Sequence, residues 1–443
     1  MVHWAGRRPN RHTLSARRPD LDVYIAGGIF LVAYLLIASE RLDRTLVALL
    51  GGLLVIVLGV LDQHEAFAAI DFNVIFLLAG MMVMAGALRK TGFFEFVAGH
   101  AIRLSRGEPY RLLVFLTVLT AGLSALLDNV TTVVLLTPVI LSITRTLRVA
   151  PFPYLISEVF ASNIGGTATL IGDPPNIMIG SAAGLSFGDF LFNLAPVVVV
   201  IMVVYLGIMR LTFRYHMEDD ADRLDVLALV DPAAAILDRP LMIRTLVVLA
   251  VTVVAFVFHS VLGLEAATIA MLGATVVMLI GRLDPHDALN EIEWNTLFFF
   301  VGLFMLVEAI VHVGIVGGIA NAVADATGGN LGVATLAILW FSAAVSAIVD
   351  NIPYTATAIP IIEQLAQGGL RAEPMWWALS LGACLGGNLT IVGASANVVV
   401  ANMAAREGHP ITFVQFFRYG AGVVAASMVI SSIYLWVRYL AEP

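Results

Sequence analysis

Apolar runs of about 20 residues, enough to cross a hydrocarbon layer, recur along the chain at 22–38, 45–61, 71–89, 153–183, 190–213, 241–259, 264–281, 293–311, 375–404 and 412–438. The runs 153–183 and 375–404 are longer because polar, glycine-bearing segments interrupt them, so each predicts a broken transmembrane helix. Two more apolar stretches, 111–144 and 332–366, are bisected by an Asp-Asn pair and predict re-entrant hairpins. Non-helical backbone at membrane depth survives only inside protein or beside a water-filled cavity. The pattern therefore predicts an all-α polytopic membrane protein with five crossings and one hairpin in each half, the hairpin tips facing inward.

The two halves are copies. Asp128-Asn129 recurs as Asp350-Asn351 at a spacing of 222 residues, and the same offset aligns Asn73 with Asn295, Phe76 with Phe298, Gly80 with Gly302, Gly92 with Gly314 and Pro138 with Pro360. After one deleted residue the register resumes at 221, pairing Gly165-Gly166 with Gly386-Gly387, Thr169 with Thr390, Gly172 with Gly393 and Asn176 with Asn397. An odd number of crossings per copy makes the second enter the bilayer inverted, which is the sequence signature of a transporter whose site lies between repeats. The organisation expected is a basic tail over 1–21, a first repeat over 22–213, a cytoplasmic linker over 214–240 carrying the acidic run Glu218-Asp219-Asp220-Ala221-Asp222, and a second repeat over 241–443. The stretches 92–106 and 313–327 occupy equivalent places, and Phe93, Phe94 and Phe96 predict a helix along the membrane surface there.

Composition strengthens this picture. Apolar residues are 60% of the chain, charged residues 13%, and mean hydropathy is +0.93, against roughly 25% charged in a soluble domain. With the linker cytoplasmic, 17 of the 24 Lys and Arg fall inside, whereas Arg7, Arg8, Arg11, Arg17 and Arg18 of the tail oppose that orientation. The plasma (inner) membrane is the expected location. The lone Cys384 excludes an internal disulfide and any multi-cysteine metal cage. No phosphate-loop motif is present, so transport by this chain is ion-coupled or passive, and no cofactor, metal or nucleic acid is expected. The expected partners are the lipid bilayer and a small solute or ion.

The chemistry concentrates at the two interruptions. In the first, Gly165, Gly166, Gly172, Pro174 and Pro175 favour unwinding, and Asn163, Thr167 and Asn176 supply polar side chains. The second keeps Gly386, Gly387 and Gly393 with Asn388, Thr390, Ser395 and Asn397, but has Ala394-Ser395-Ala396 where the first has Asp173-Pro174-Pro175. Half-helix N-termini attract anions, and freed carbonyls attract cations. Asp128, Glu158, Asp173, Glu308 and Asp350 all fall at membrane depth by this reading, with no Lys or Arg among them. An unpaired charge there costs roughly 2.5–3.5 kcal/mol, so Asp128, Asp173 and Asp350 are candidate carriers of the coupling ion, H+ or Na+. Asp128 and Asp350 are equally placed to cap the second hairpin helix. For Glu158 and Glu308 a hydrogen bond to a neighbouring helix is as good an account as transport.

At Leu127-Asp128-Asn129-Val130-Thr131-Thr132, Ser162-Asn163-Ile164-Gly165-Gly166, Gly172-Asp173-Pro174-Pro175-Asn176 and Gly393-Ala394-Ser395-Ala396-Asn397 the chain resembles the arsenite permease and NhaD group of the ion transporter superfamily, most like the P-protein-type permeases, over nearly its whole length. The resemblance implies a secondary transporter working by alternating access, with Asn129, Thr131, Thr132, Asn351 and Thr355 lining the substrate cavity and the two helix breaks completing it. It makes arsenite or antimonite the lead substrate, ahead of Na+/H+ antiport and of a dicarboxylate-like anion carrier. It also implies a homodimer and, for some members, a separate ATPase subunit. A membrane scaffold or receptor that transports nothing is the reading from another class.

Overall fold

The computed structural model describes residues 19–39, 41–106, 108–213 and 231–441. The basic tail as far as residue 18 and the linker from 214 to 230, acidic run included, lie outside the described residues. Within them every regular element is helical and no strand occurs. Seven helices are long and apolar enough to cross a membrane: Leu21–Ser39, Phe72–Arg89, Asn129–Thr146, Ala195–Phe213, Arg239–Val257, Trp294–His312 and Phe413–Leu440.

Seven differs from the ten crossings that hydropathy predicts, and the reason is length. The helices Arg44–Val57 and Ala266–Gly281 have 14 and 16 residues, about 21 and 24 Å of rise against a hydrocarbon core of about 30 Å. The runs 153–183 and 375–404 are each broken in two, into Phe152–Gly166 with Pro174–Ala183 and Ala372–Gly386 with Ser395–Arg406. Asn129–Thr146 qualifies by length although the sequence pattern makes it one arm of a hairpin.

Helix starts keep the sequence register. Pro109–Ser124 and Leu331–Ser346 begin and end 222 residues apart, as do Phe93–Ser105 and Ile315–Thr327. Asn129 and Asn351 start the second arm of each helix pair, and each arm carries an internal proline, Pro138 or Pro360. Phe93–Ser105 does not turn its phenylalanines to one lipid-facing side, since Phe94 is fully buried.

The long helices exchange partners between copies. Phe72–Arg89 packs along Ala266–Gly281, and Trp294–His312 packs along Arg44–Val57. Both crossings are set by glycine: a Cβ on Gly80 would fall 2.6 Å from the Ala270 carbonyl carbon, and one on Gly302 would fall 2.3 Å from that of Ala48. Among lipid-soluble helices, close approach of small residues replaces the hydrophobic effect as the source of association.

Candidate functional site

Each helix pair delivers its turn against a helix break, and the same hydrogen bonds fix it in both copies. Ser124 Oγ donates to the Ser162 carbonyl at 2.7 Å, and Ser346 Oγ donates to the Ala383 carbonyl at 2.6 Å. Thr169 Oγ1 donates to Ala125 O, and Thr390 Oγ1 to Ala347 O. Within each break an asparagine satisfies the loosened backbone: Asn176 Nδ2 donates to the carbonyls of Thr167 and Thr169, Asn397 Nδ2 to those of Gly387 and Thr390. Buried carbonyls without donors are costly, so these two side chains make the interruptions tolerable. Gly165 and Gly386 contribute differently from the expected unwinding. Both sit inside the first half-helix, where a Cβ would meet the Ala121 or Ala343 backbone within 2.5 Å.

Asparagine amides link the two breaks. Asn163 Nδ2 donates to Asn388 Oδ1 and Asn397 Oδ1, each at 2.9 Å, and Asn163 Oδ1 accepts from Asn129 Nδ2 at 3.0 Å. Across the repeat, the Asn163–Asn397 contact corresponds to Cys384–Asn176, where the thiol lies 3.6 Å from Asn176 Oδ1, which Ser380 Oγ also reaches. Thr167 Oγ1 turns back to the Asn163 carbonyl of its own helix. All of these groups are buried. Asn129 Oδ1, Asn388 Nδ2, Thr132 Oγ1 and Thr355 Oγ1 are buried with no protein partner.

Asp128 and Asp350 cap their second arms, as their position before an apolar helix predicts. Asp128 Oδ1 accepts from Thr131 N at 2.8 Å, with Thr131 Oγ1 on Oδ2, and Asp350 Oδ1 accepts from Ile352 N at 3.0 Å. Asp173 accepts from Asn351 Nδ2 at 3.1 Å and lies within electrostatic reach of both other aspartates. The polar residues that hydropathy scatters over 270 positions thus come together around two breaks. Glu158 stands apart, fully buried with Oε1 on Thr137 Oγ1 at 3.0 Å and Oε2 without a partner. Glu308 is half-buried.

The sequence pattern misses one residue of the cluster. Arg44, at the first turn of Arg44–Val57, reaches across to place Nη1 3.0 Å from Asp350 Oδ2, with Ser395 Oγ bonded to both. Its guanidinium lies 5.2 Å from the centre of the Phe299 ring, and its charge reaches Glu293. The expectation of acids without a cation is corrected here: a hydropathy window puts Arg44 in a loop, whereas its side chain extends inward. Arg44, Asp350, Ser395, Asp43 and Asn402 line a cavity of about 320 Å³.

The citrate transporter family model, CitMHS, matches residues 34–382. The chain belongs to the citrate transporter family. The match covers both Asp-Asn turns and the first break. An uncharacterized transporter of Mycobacterium bovis is 46% identical over 423 residues, covering 94% of this chain and 98% of its own. The P protein of Sus scrofa is 32% identical, covering 95% of this chain, which spans 60% of the P protein's length. The resemblance to P-protein-type permeases is therefore found, while the family model that matches is the citrate transporter one. The Alcanivorax borkumensis YdaH transporter has the same fold, with a TM-score of 0.59 at 14% identity over 96% of this chain and 99% of that one. This family member is a multi-span membrane protein whose relatives are named as transporters.

Proposed function

We propose that the protein is an ion-coupled secondary transporter that moves small carboxylate anions by alternating access. The observation that carries the reading is the Arg44–Asp350–Ser395 cluster, which puts a guanidinium and a hydroxyl at the N-termini of two helices beside an open cavity. Arginine suits planar recognition of carboxylates, and helix N-termini add favourable potential. Ionised Asp128 and Asp350 beside the path would repel an anion; with Arg44 neutralising Asp350 that repulsion weakens, and the family match favours carboxylates. Arsenite or antimonite is the second reading, favoured by the unpartnered amide and hydroxyl atoms of Asn129, Asn388 and Thr355, which suit a neutral hydroxylated solute.

On this reading Asn129, Thr131, Thr132, Asn163, Thr355, Asn388 and Ser395 line the path, Asp128, Asp173 and Asp350 handle the coupling ion, and Asn176, Asn397, Thr167 and Thr390 hold the breaks. The copies over 22–213 and 241–443 are inverted repeats, each with a re-entrant hairpin and a broken helix, joined by a cytoplasmic linker in the inner membrane. The shared offset of helix starts and the reciprocal pairing of long helices support it.

The test is flux in vesicles containing the purified protein, with citrate, succinate, arsenite or Na+ offered against imposed H+ and Na+ gradients. Carboxylate accumulation that collapses with the ion gradient, and is lost in Asn163→Ala, is the expected result. Arsenite flux without carboxylate flux overturns the substrate class, and Na+/H+ exchange alone makes the protein an antiporter. Flux indifferent to every gradient makes it a channel.

A further inference from the structure

We infer that Asp350 is an internal stand-in for the substrate's carboxylate: Arg44 anchors the substrate, Asp350 occupies that anchor in its absence, and a proton on Asp350 releases it. This rests on the carboxylate reading and deepens it by naming the pair of residues at which proton and carboxylate exchange.

Everything that holds the Asp350 carboxylate would hold an external one equally well. Oδ2 receives Arg44 Nη1 at 3.0 Å and Ser395 Oγ at 2.5 Å, while Oδ1 receives the backbone N–H of Ile352 at 3.0 Å. Asp350 caps the 17-residue helix Asn351–Gln367, and Ser395 opens the 12-residue helix Ser395–Arg406, so two positive helix ends converge on one carboxylate. Charged hydrogen bonds of this kind are the strong ones, and the pair is not sealed in. The Arg44 side chain is 31% exposed and the cavity of about 320 Å³ opens onto both partners. Among the described residues, both hydrogen bonds of Arg44 come from Nη1, which leaves the other donors of its fork for a ligand. Buried amide and hydroxyl atoms without partners, on Asn129, Asn388 and Thr355, lie on the same tips and breaks.

The surrounding charges decide why a proton is needed. Asp43 faces the cavity from the turn before Arg44, Glu293 lies at the start of Trp294–His312, Asp173 in the first break, and Asp128 at the first tip. Leu331–Ser346, which packs on the same turn, has no titratable side chain, and Ala372–Gly386 has only Cys384 and the distant Glu373. Acids outnumber the single guanidinium, so an arriving anion meets repulsion while Asp350 is ionised. Transfer of one proton from hydronium in the cavity water to an Asp350 carboxyl oxygen forms one O–H bond, leaves a neutral water molecule and breaks the ion pair; one substrate carboxylate then takes its place on Arg44. The charge of the site is unchanged, and one proton enters per carboxylate bound.

The experiment is calorimetric binding of citrate, succinate and L-tartrate to the purified full chain between about pH 6.5 and about pH 8.5, L-tartrate serving as the probe whose own carboxyls stay ionised. For the wild type, apparent L-tartrate affinity should rise about tenfold for each pH unit lowered, with one proton taken up. Asp350→Asn keeps a capping side chain and should bind at every pH with no slope. Arg44→Gln should bind none of the three. Arg44→Gln combined with Asp350→Asn removes both charges together, so it should remain folded by thermal denaturation and still bind none. An Asp350→Asn protein that keeps the pH slope, or an Arg44→Gln protein with wild-type affinity, overturns the inference alone. A wild type that binds none of the three anions but is stabilised by arsenite or Na+ overturns the carboxylate reading along with it.

Discussion

Asp128 and Asp350 occupy equivalent turns and cap equivalent helices, yet among the described residues only Asp350 meets a cation. Position 44 corresponds to 266, where the second copy has alanine, and Ser395 corresponds to Pro174. The cavity beside Asp350 also has a counterpart of about 400 Å³, in which His259, Glu265 and Ser181 stand where Ile37, Asp43 and Asn402 line the first. The two copies thus share backbone frame and hydrogen-bond braces while differing in the charges they carry. Frame residues answer to the fold, which is the same twice. Charged residues are not bound by that common frame, and they differ.

The comparison can be broken at four depths. Gly165→Val and Gly386→Val should each eliminate folded protein, read as loss of monodisperse material after solubilisation, because a Cβ already collides with the facing backbone; tolerance in one copy alone would end the claim of a common frame. Arg44→Gln should abolish carboxylate uptake in vesicles, while Ala266→Gln at the matching position should leave it within about twofold, since no ion pair is lost there. Asn176→Ala and Asn397→Ala should cost similar amounts of thermal stability, about 1–3 kcal/mol each, by removing a donor from the buried carbonyls of each break. Thr131→Ala should cost only about 0.5–1.5 kcal/mol, because the Asp128 cap to the Thr131 N–H persists; its mate is Pro353, which makes no such bond.

Much of this was legible in the chain. The 222-residue register reappears as the spacing between the helix starts Pro109 and Leu331, two residues and one residue before the stretches read from hydropathy, and the Gly, Asn and Thr clusters mark both breaks, because local backbone demands leave local signatures. Capping by Asp128 and Asp350 follows from their place before an apolar run. What escaped was contact between distant positions. Arg44 and Asp350 are 306 residues apart, and nothing in a hydropathy window says which way an arginine at a helix start extends. The exchange of Phe72–Arg89 and Trp294–His312 between copies is hidden for the same reason. Helix lengths departed from the apolar runs, Arg44–Val57 stopping short of the run 45–61.

That exchange of partners has a bearing on how the chain is made. When synthesis has passed residue 213, Phe72–Arg89 and Arg44–Val57 are both present, but the helices each packs against most extensively, Ala266–Gly281 and Trp294–His312, do not yet exist. The nascent first half must wait in lipid with the faces around Gly80 and Ala48 unmatched, and maturation is postponed until translation is well into the second half. A chain truncated after residue 240 would lack both of these partner helices, and should be digested by protease faster than the full chain.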